Sequence, residues 1–169
     1  MKKVALIIAQ EGFRDEEYLE PKKVLEDNGI QVTTVSQKKG AATGKLGAKA
    51  LAETAIRDVD PLAYDGIFFI GGPGASVYFE DKKAHEILRL AAQQGKLIGA
   101  ICAGPAVLAS AGILKGKKAT SFQGVEPYLI KGGAILTKTG VVIDGKVITA
   151  DGPASATRFG QAIVNSLGQ

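Results

Sequence analysis

The chain has 169 residues, 46% of them apolar and 22% charged, with a net charge of +4 and a single cysteine, Cys102. That length holds one domain with a substantial core, spanning 1–169, and the lone cysteine excludes an internal disulfide and points to a reducing compartment. Lysines scattered in pairs among acids, with no Trp, exclude a clustered basic face for nucleic acid; with neither a signal-like leader nor a bilayer-length apolar run, the expected location is cytoplasmic and no membrane partner is expected.

The continuous apolar run "KVALIIA" (3–9) predicts a buried strand. "DEEYLEPKKVLEDNG" follows as a helix, with acids in its first turn, apolar residues at helical spacing and an Asn28-Gly29 stop. Pro21 sits early in that helix or kinks it. "IQVTTVS" (30–36) is β-branched and alternating, a second strand. "KKGAATGKLGAKA" is a glycine-bearing loop or hairpin. "GIFFIGG" (66–72) and "KLIGAI" (96–101) are further buried strands, each followed by a helix, in "DKKAHEILRLAAQQG" and "AGPAVLASAG". In the first of these, His85 shares helical spacing with Lys82 and Arg89 and is expected on a solvated face. Alternation of this kind implies an α/β domain with a mostly parallel sheet covered on both sides. Towards the C-terminus, Asp144-Gly145 between two β-branched runs predicts a hairpin adding antiparallel strands to an edge. "ASATRFGQAIVNSLG" closes the chain as a helix.

Three segments at strand ends carry chemistry. Cys102 lies in "AICAG", a small-x-nucleophile-x-small pattern at a strand-to-helix turn, where only small neighbours clear the tight backbone. Amides of the helix that starts there favour a thiolate and are expected to lower the thiol's pKa. The bland alternative is a buried small hydrophobe. "RDEEYLEP" follows the first strand, so one of Asp15, Glu16 or Glu17 can reach the thiol if the strands are neighbours; the bland alternative is helix capping. "IGGPGAS" (70–76) offers glycine amides that can stabilise an oxyanion. It fails as a dinucleotide fingerprint, because Val77 stands where a third glycine belongs, and its bland alternative is a tight turn.

Together these segments resemble the DJ-1/PfpI superfamily over essentially the whole chain. "AICAGPAVLASAGIL" resembles its nucleophile elbow and helix, "GGPGAS" its glycine loop, and "ADGPASATRFGQAIVNSLG" its terminal loop and helix. In the family's first loop the functional acid stands four residues before a proline, and that match is Glu17. The resemblance implies a flavodoxin-like three-layer sandwich, a homodimer or larger assembly, and no metal or cofactor. It implies catalytic roles for Cys102 and Glu17 and an oxyanion site from the Gly72 and Ala103 amides; Gly71, Tyr18, Ser121, Phe122 and Asp151 are candidates for the pocket around the thiol. It also implies chemistry on small reactive carbonyls of the glyoxalase or deglycase type. Redox sensing, or stress protection and chaperone action through Cys102 oxidation, is the alternative.

Departures from the family pattern narrow the choice. Peptidase-like members carry His directly after the cysteine, where this chain has Ala103, so a Cys-His pair cannot form locally and peptidase activity is disfavoured. The other branch keeps a His in a later loop, where this chain has "KATSFQGVEP" with Phe122 near that place. An Arg frequent in the terminal loop is replaced by Asp151.

Overall fold

The computed structural model describes residues 1–168. Seven strands form the central sheet. In chain order the strands are β1 (Lys3–Ile7), β2 (Glu11–Phe13), β3 (Gln31–Ser36), β4 (Gly40–Gly44), β5 (Lys49–Ala52), β6 (Thr54–Ala55), β7 (Gly66–Phe69), β8 (Leu97–Ile101), β9 (Lys118–Ala119), β10 (Ile135–Leu136), β11 (Val141–Asp144) and β12 (Val147–Ala150). The helices are α1 (Asp15–Asp27), α2 (Lys82–Gln93), α3 (Pro105–Ser110), α4 (Glu126–Lys131) and α5 (Ala156–Leu167).

The central sheet runs β11-β12-β8-β7-β1-β3-β6. All its pairs are parallel except β11 with β12. The Asp144-Gly145 hairpin therefore adds one antiparallel strand, β11, at the edge, while β12 continues the parallel sheet beside β8. The expected glycine-bearing loop is a hairpin, β4 with β5, whose first strand, β4, also pairs with β2 and so sits at the centre of a separate three-stranded sheet.

Alternating side chains divide the core into two layers, because successive strand residues face opposite sides of a sheet. Ile7, Ile67, Phe69 and Ile98 pack with Ala84, Ile87, Leu88 and Ala91 of α2 and with α3. Leu6, Phe68 and Ile148 pack with Tyr18 and Leu25 of α1 and with Phe159 and Ile163 of α5. Pro21 lies inside α1 and is buried. Its missing N–H leaves the Glu17 carbonyl without that intrahelical donor. A Cβ added at Gly160 would come within 2.9 Å of the Pro21 Cα, so α1 and α5 approach closely because this position in α5 lacks a side chain.

His85 is not on a solvated face. It is buried, and its Nε2 lies 2.8 Å from the Phe79 carbonyl, so the turn before α2 folds over the ring. No helix among the described residues is long and apolar enough to cross a membrane.

Candidate active site

The carboxyl ends of β1, β7 and β8 converge, as parallel neighbours must, and place three loops side by side. At the end of β8, Cys102 has φ +62°, the one positive φ at a non-glycine residue among those described. That conformation costs about 1–2 kcal/mol for a residue with a Cβ. It is held on both sides: the Cys102 N–H donates to the Ala150 carbonyl at 2.9 Å, and the Cys102 carbonyl accepts from Phe122 N–H at 2.8 Å. Gly104 permits the turn, since a Cβ there would meet the Phe69 carbonyl oxygen at 2.6 Å. The thiol is half-buried and faces a pocket of about 380 Å³.

Beneath the thiol lies Glu17, with no solvent exposure. Its Oε1 accepts from Gly71 N–H at 3.1 Å, and its Oε2 is buried with no further hydrogen-bond partner among the described residues. Glu17 and Cys102 press on the same spot: a Cβ at Gly71 would stand 2.6 Å from Glu17 Oε1 and 2.7 Å from Cys102 Cβ. The Gly71 carbonyl in turn accepts from Arg14 N–H at 2.9 Å, fastening the first loop to the glycine loop. Gly72 has φ +103°, and a Cβ there would collide with the Arg14 amide nitrogen.

Burial is the main cause that pushes the Glu17 carboxyl up to about 7, against the pull of the hydrogen bonds it accepts from the Cys102 thiol and from Gly71 N–H. Burial also dominates at Cys102 and, with the charge and hydrogen bond of Glu17, pushes its thiol up to about 12. The Ala103 and Gly72 amides donate toward the sulfur and pull the other way. The amide cradle is present, but burial outweighs it, and the thiol is harder to ionise than the sequence pattern suggests. Burial thus disfavours the charged form at both groups, and each influences the other.

The pocket is lined by Cys102, Gly72, Ala103 and Phe122, together with Pro73, Ser76, Phe79, Gly124, Val125 and two cations, Arg14 and Lys45. The structure brings Gly71 against the thiol and Phe122 to the wall. It does not bring in Tyr18, Ser121 or Asp151. The Tyr18 hydroxyl pairs with Thr34 Oγ1 at 2.6 Å on the far side of α1. Ser121 and Asp151 line a neighbouring depression with Lys138 and Glu126, and Asp151 accepts from Ser155 Oγ at 2.6 Å. Asp15 and Glu16 do not reach the thiol: Asp15 accepts from the amides of Leu46 and Ala48, and Glu16 takes a two-pronged contact from Arg14, both bonds 2.9 Å. Arg14 and Lys45 carried no motif in the sequence. Among the described residues, no group of three or more His, Cys, Asp or Glu side chains is arranged to hold a metal ion.

Comparison with known proteins identifies the family. The family model described as the DJ-1/PfpI family matches residues 2–166. The chain belongs to the DJ-1/PfpI family. A Pyrococcus furiosus protein named deglycase PfpI is 34% identical over 88% of this chain and 89% of its own length. A Caenorhabditis elegans protein named glutathione-independent glyoxalase DJR-1.2 is 32% identical over 98% of this chain and 89% of its own. The solved structure of a ThiJ/PfpI domain protein from Brachyspira murdochii superposes with a TM-score of 0.96 at 30% identity, covering 98% of this chain and 96% of that one.

Proposed function

We propose that this DJ-1/PfpI protein converts small α-oxoaldehydes to hydroxyacids, with Cys102 as nucleophile and Glu17 as proton carrier. The observation that carries this reading is the buried Glu17 carboxyl, pushed up to about 7, lying with the strained Cys102 against Gly71. A group titrating there is present as both acid and base at neutral pH, which proton shuttling needs.

With its thiol pushed up, Cys102 requires a base, and the Glu17 carboxylate supplies one. The sulfur adds to the aldehyde carbon as the S–H proton passes through Glu17 to the aldehyde oxygen, giving a hemithioacetal. The Gly72 and Ala103 amides stabilise negative charge developing on that oxygen. Glu17 then takes the proton from the former aldehyde carbon and returns it to the adjacent carbon, while the hydroxyl proton passes from the first oxygen to the neighbouring carbonyl oxygen, leaving a thioester of a hydroxyacid. Water cleaves the thioester, releasing the hydroxyacid and restoring the thiol. The relatives named deglycase and glyoxalase are consistent with chemistry of this class.

The test is lactate formation from methylglyoxal by the wild type, Glu17→Gln and Cys102→Ser. Loss in both variants is expected; a wild type without turnover refutes the reading. A second reading is favoured by the amide cradle around the sulfur, which suits a sulfinate made from two successive equivalents of peroxide. The raised thiol ranks it lower, because peroxide attacks through the thiolate. A gain of two oxygens at Cys102 by mass spectrometry, with no methylglyoxal turnover, would reverse the order.

A further inference from the structure

Within the Cys102 pocket, the charged side chains on the wall are both cations, Arg14 and Lys45. Their surroundings differ. Arg14 is held by Glu16 in a two-pronged ion pair, so much of its charge is answered. Lys45 is exposed, and among the described residues no carboxylate lies within ion-pair distance of its ammonium.

The backbone at Lys45 is nonetheless fixed. Its N–H donates to the Phe13 carbonyl at 2.8 Å, one residue before Arg14. The Asp15 carboxylate accepts from Leu46 N–H at 2.8 Å and from Ala48 N–H at 2.7 Å, gripping the turn between β4 and β5 on both sides. Gly44 is the seat of that carboxylate, since a Cβ there would stand 2.6 Å from Asp15 Oδ1. Asp15 is itself buried and faces amides, and Glu16 faces Arg14; neither carboxylate lines the pocket. A turn anchored by Asp15, two residues before Glu17, thus carries a positive side chain to the wall of the Cys102 pocket. An unanswered cation on a fixed turn at the edge of a mostly apolar pocket raises the local concentration of anions.

We propose that Lys45, positioned by Asp15, makes the pocket select carbonyl substrates whose substituent carries a carboxylate or a phosphate. This specificity rests on the reading that Cys102 adds to carbonyls, but its test does not. Iodoacetate and iodoacetamide alkylate a thiol by the same step, in which sulfur displaces iodide and the thiol proton is released. They differ in one carboxylate. The ratio of their rates at Cys102 is measured on the intact protein and divided by the ratio for a small neutral thiol, in the wild type, Lys45→Ala and Lys45→Glu. The expected ratio falls from wild type to Lys45→Ala on the order of threefold to tenfold, falls further in Lys45→Glu, and loses its spread in high salt. Acetate and inorganic phosphate, at matched ionic strength, are then compared for slowing the iodoacetamide reaction. The anion that protects the wild type more than Lys45→Ala identifies the group recognised. An equal rate ratio in all three proteins, or no difference in protection by either anion, overturns the proposal. Lactate formation from neutral methylglyoxal, run in parallel, fails separately if the carbonyl reading is wrong.

Discussion

Replacing Glu17 by glutamine keeps the shape of the side chain and removes its proton equilibrium. In the folded protein burial pushes this carboxyl from about 4.5 up to about 7. Between those two values the folded chain holds a proton that the unfolded chain has released, so stability falls as pH rises. The stabilising contribution is complete below about pH 4.5 and gone above about pH 7. The slope is about 1.4 kcal/mol per pH unit, and the whole change is about 3 kcal/mol. Glutamine cannot titrate, yet it still offers an oxygen to Gly71 N–H. Urea unfolding of both proteins from about pH 4.5 to about pH 8 reports chiefly this one group, because the thiol coupled to it is pushed up beyond that range. The stability difference, wild type minus Glu17→Gln, is expected to drop by about 3 kcal/mol across that range and then level off. Parallel stability curves would mean that the carboxyl titrates normally, and the proton-carrier role would lose its physical basis.

At Cys102 the backbone conformation itself is testable. Alanine keeps the left-handed strain of φ +62°, whereas glycine removes it at the cost of a more flexible unfolded chain. Cys102→Gly should therefore be more stable than Cys102→Ala by about 0.5–1 kcal/mol in denaturant unfolding; a glycine variant less stable than the alanine one would deny the strain. Gly71→Ala places a methyl 2.6 to 2.7 Å from Glu17 Oε1, Cys102 Cβ and the Ile101 carbonyl oxygen. Overpacking of this kind costs about 1–3 kcal/mol, and the displaced carboxyl should also change the pH profile of Cys102 alkylation. An unaltered profile would show that Glu17 and the thiol do not share this contact.

The parts of the site that were legible in the sequence are those a single turn of chain dictates. "AICAG" suits a tight strand-to-helix turn with Cys102 at its apex, where the structure holds it half-buried, and the glycines of "GGPG" sit where backbone must approach backbone. What the sequence left open depends on partners that arrive from elsewhere. Asp15, Glu16 and Glu17 stand consecutively and look alike as helix-capping acids, but they have three different fates. One grips the β4–β5 turn, one neutralises Arg14 and one is buried under the sulfur, because successive helix residues point about a third of a turn apart. Lys45 was invisible because its place is set by hydrogen bonds to main-chain amides, which any residue types satisfy. His85 misled for the converse reason: its neighbours Lys82 and Arg89 mark a polar face, and only the Phe79 carbonyl folding back over it makes the ring part of the interior.

The thiol teaches the same lesson about competing terms. The sequence correctly places a helix after Cys102, and a helix start favours an anion. But α3 has only six residues, and Gly104 N–H at its head already donates to the Ile101 carbonyl. The Ala103 and Gly72 amides alone remain to face the sulfur, while the same crowded small-residue turn that exposes the nucleophile also shuts water away from it. Desolvation then exceeds two amide contacts, and activation passes from the helix to Glu17. That transfer has a kinetic consequence: alkylation of Cys102 by neutral iodoacetamide should rise as Glu17 ionises near pH 7, and this step should vanish in Glu17→Gln. A rate that instead climbs only in step with thiol ionisation, identically in both proteins, would return the role of activator to the backbone.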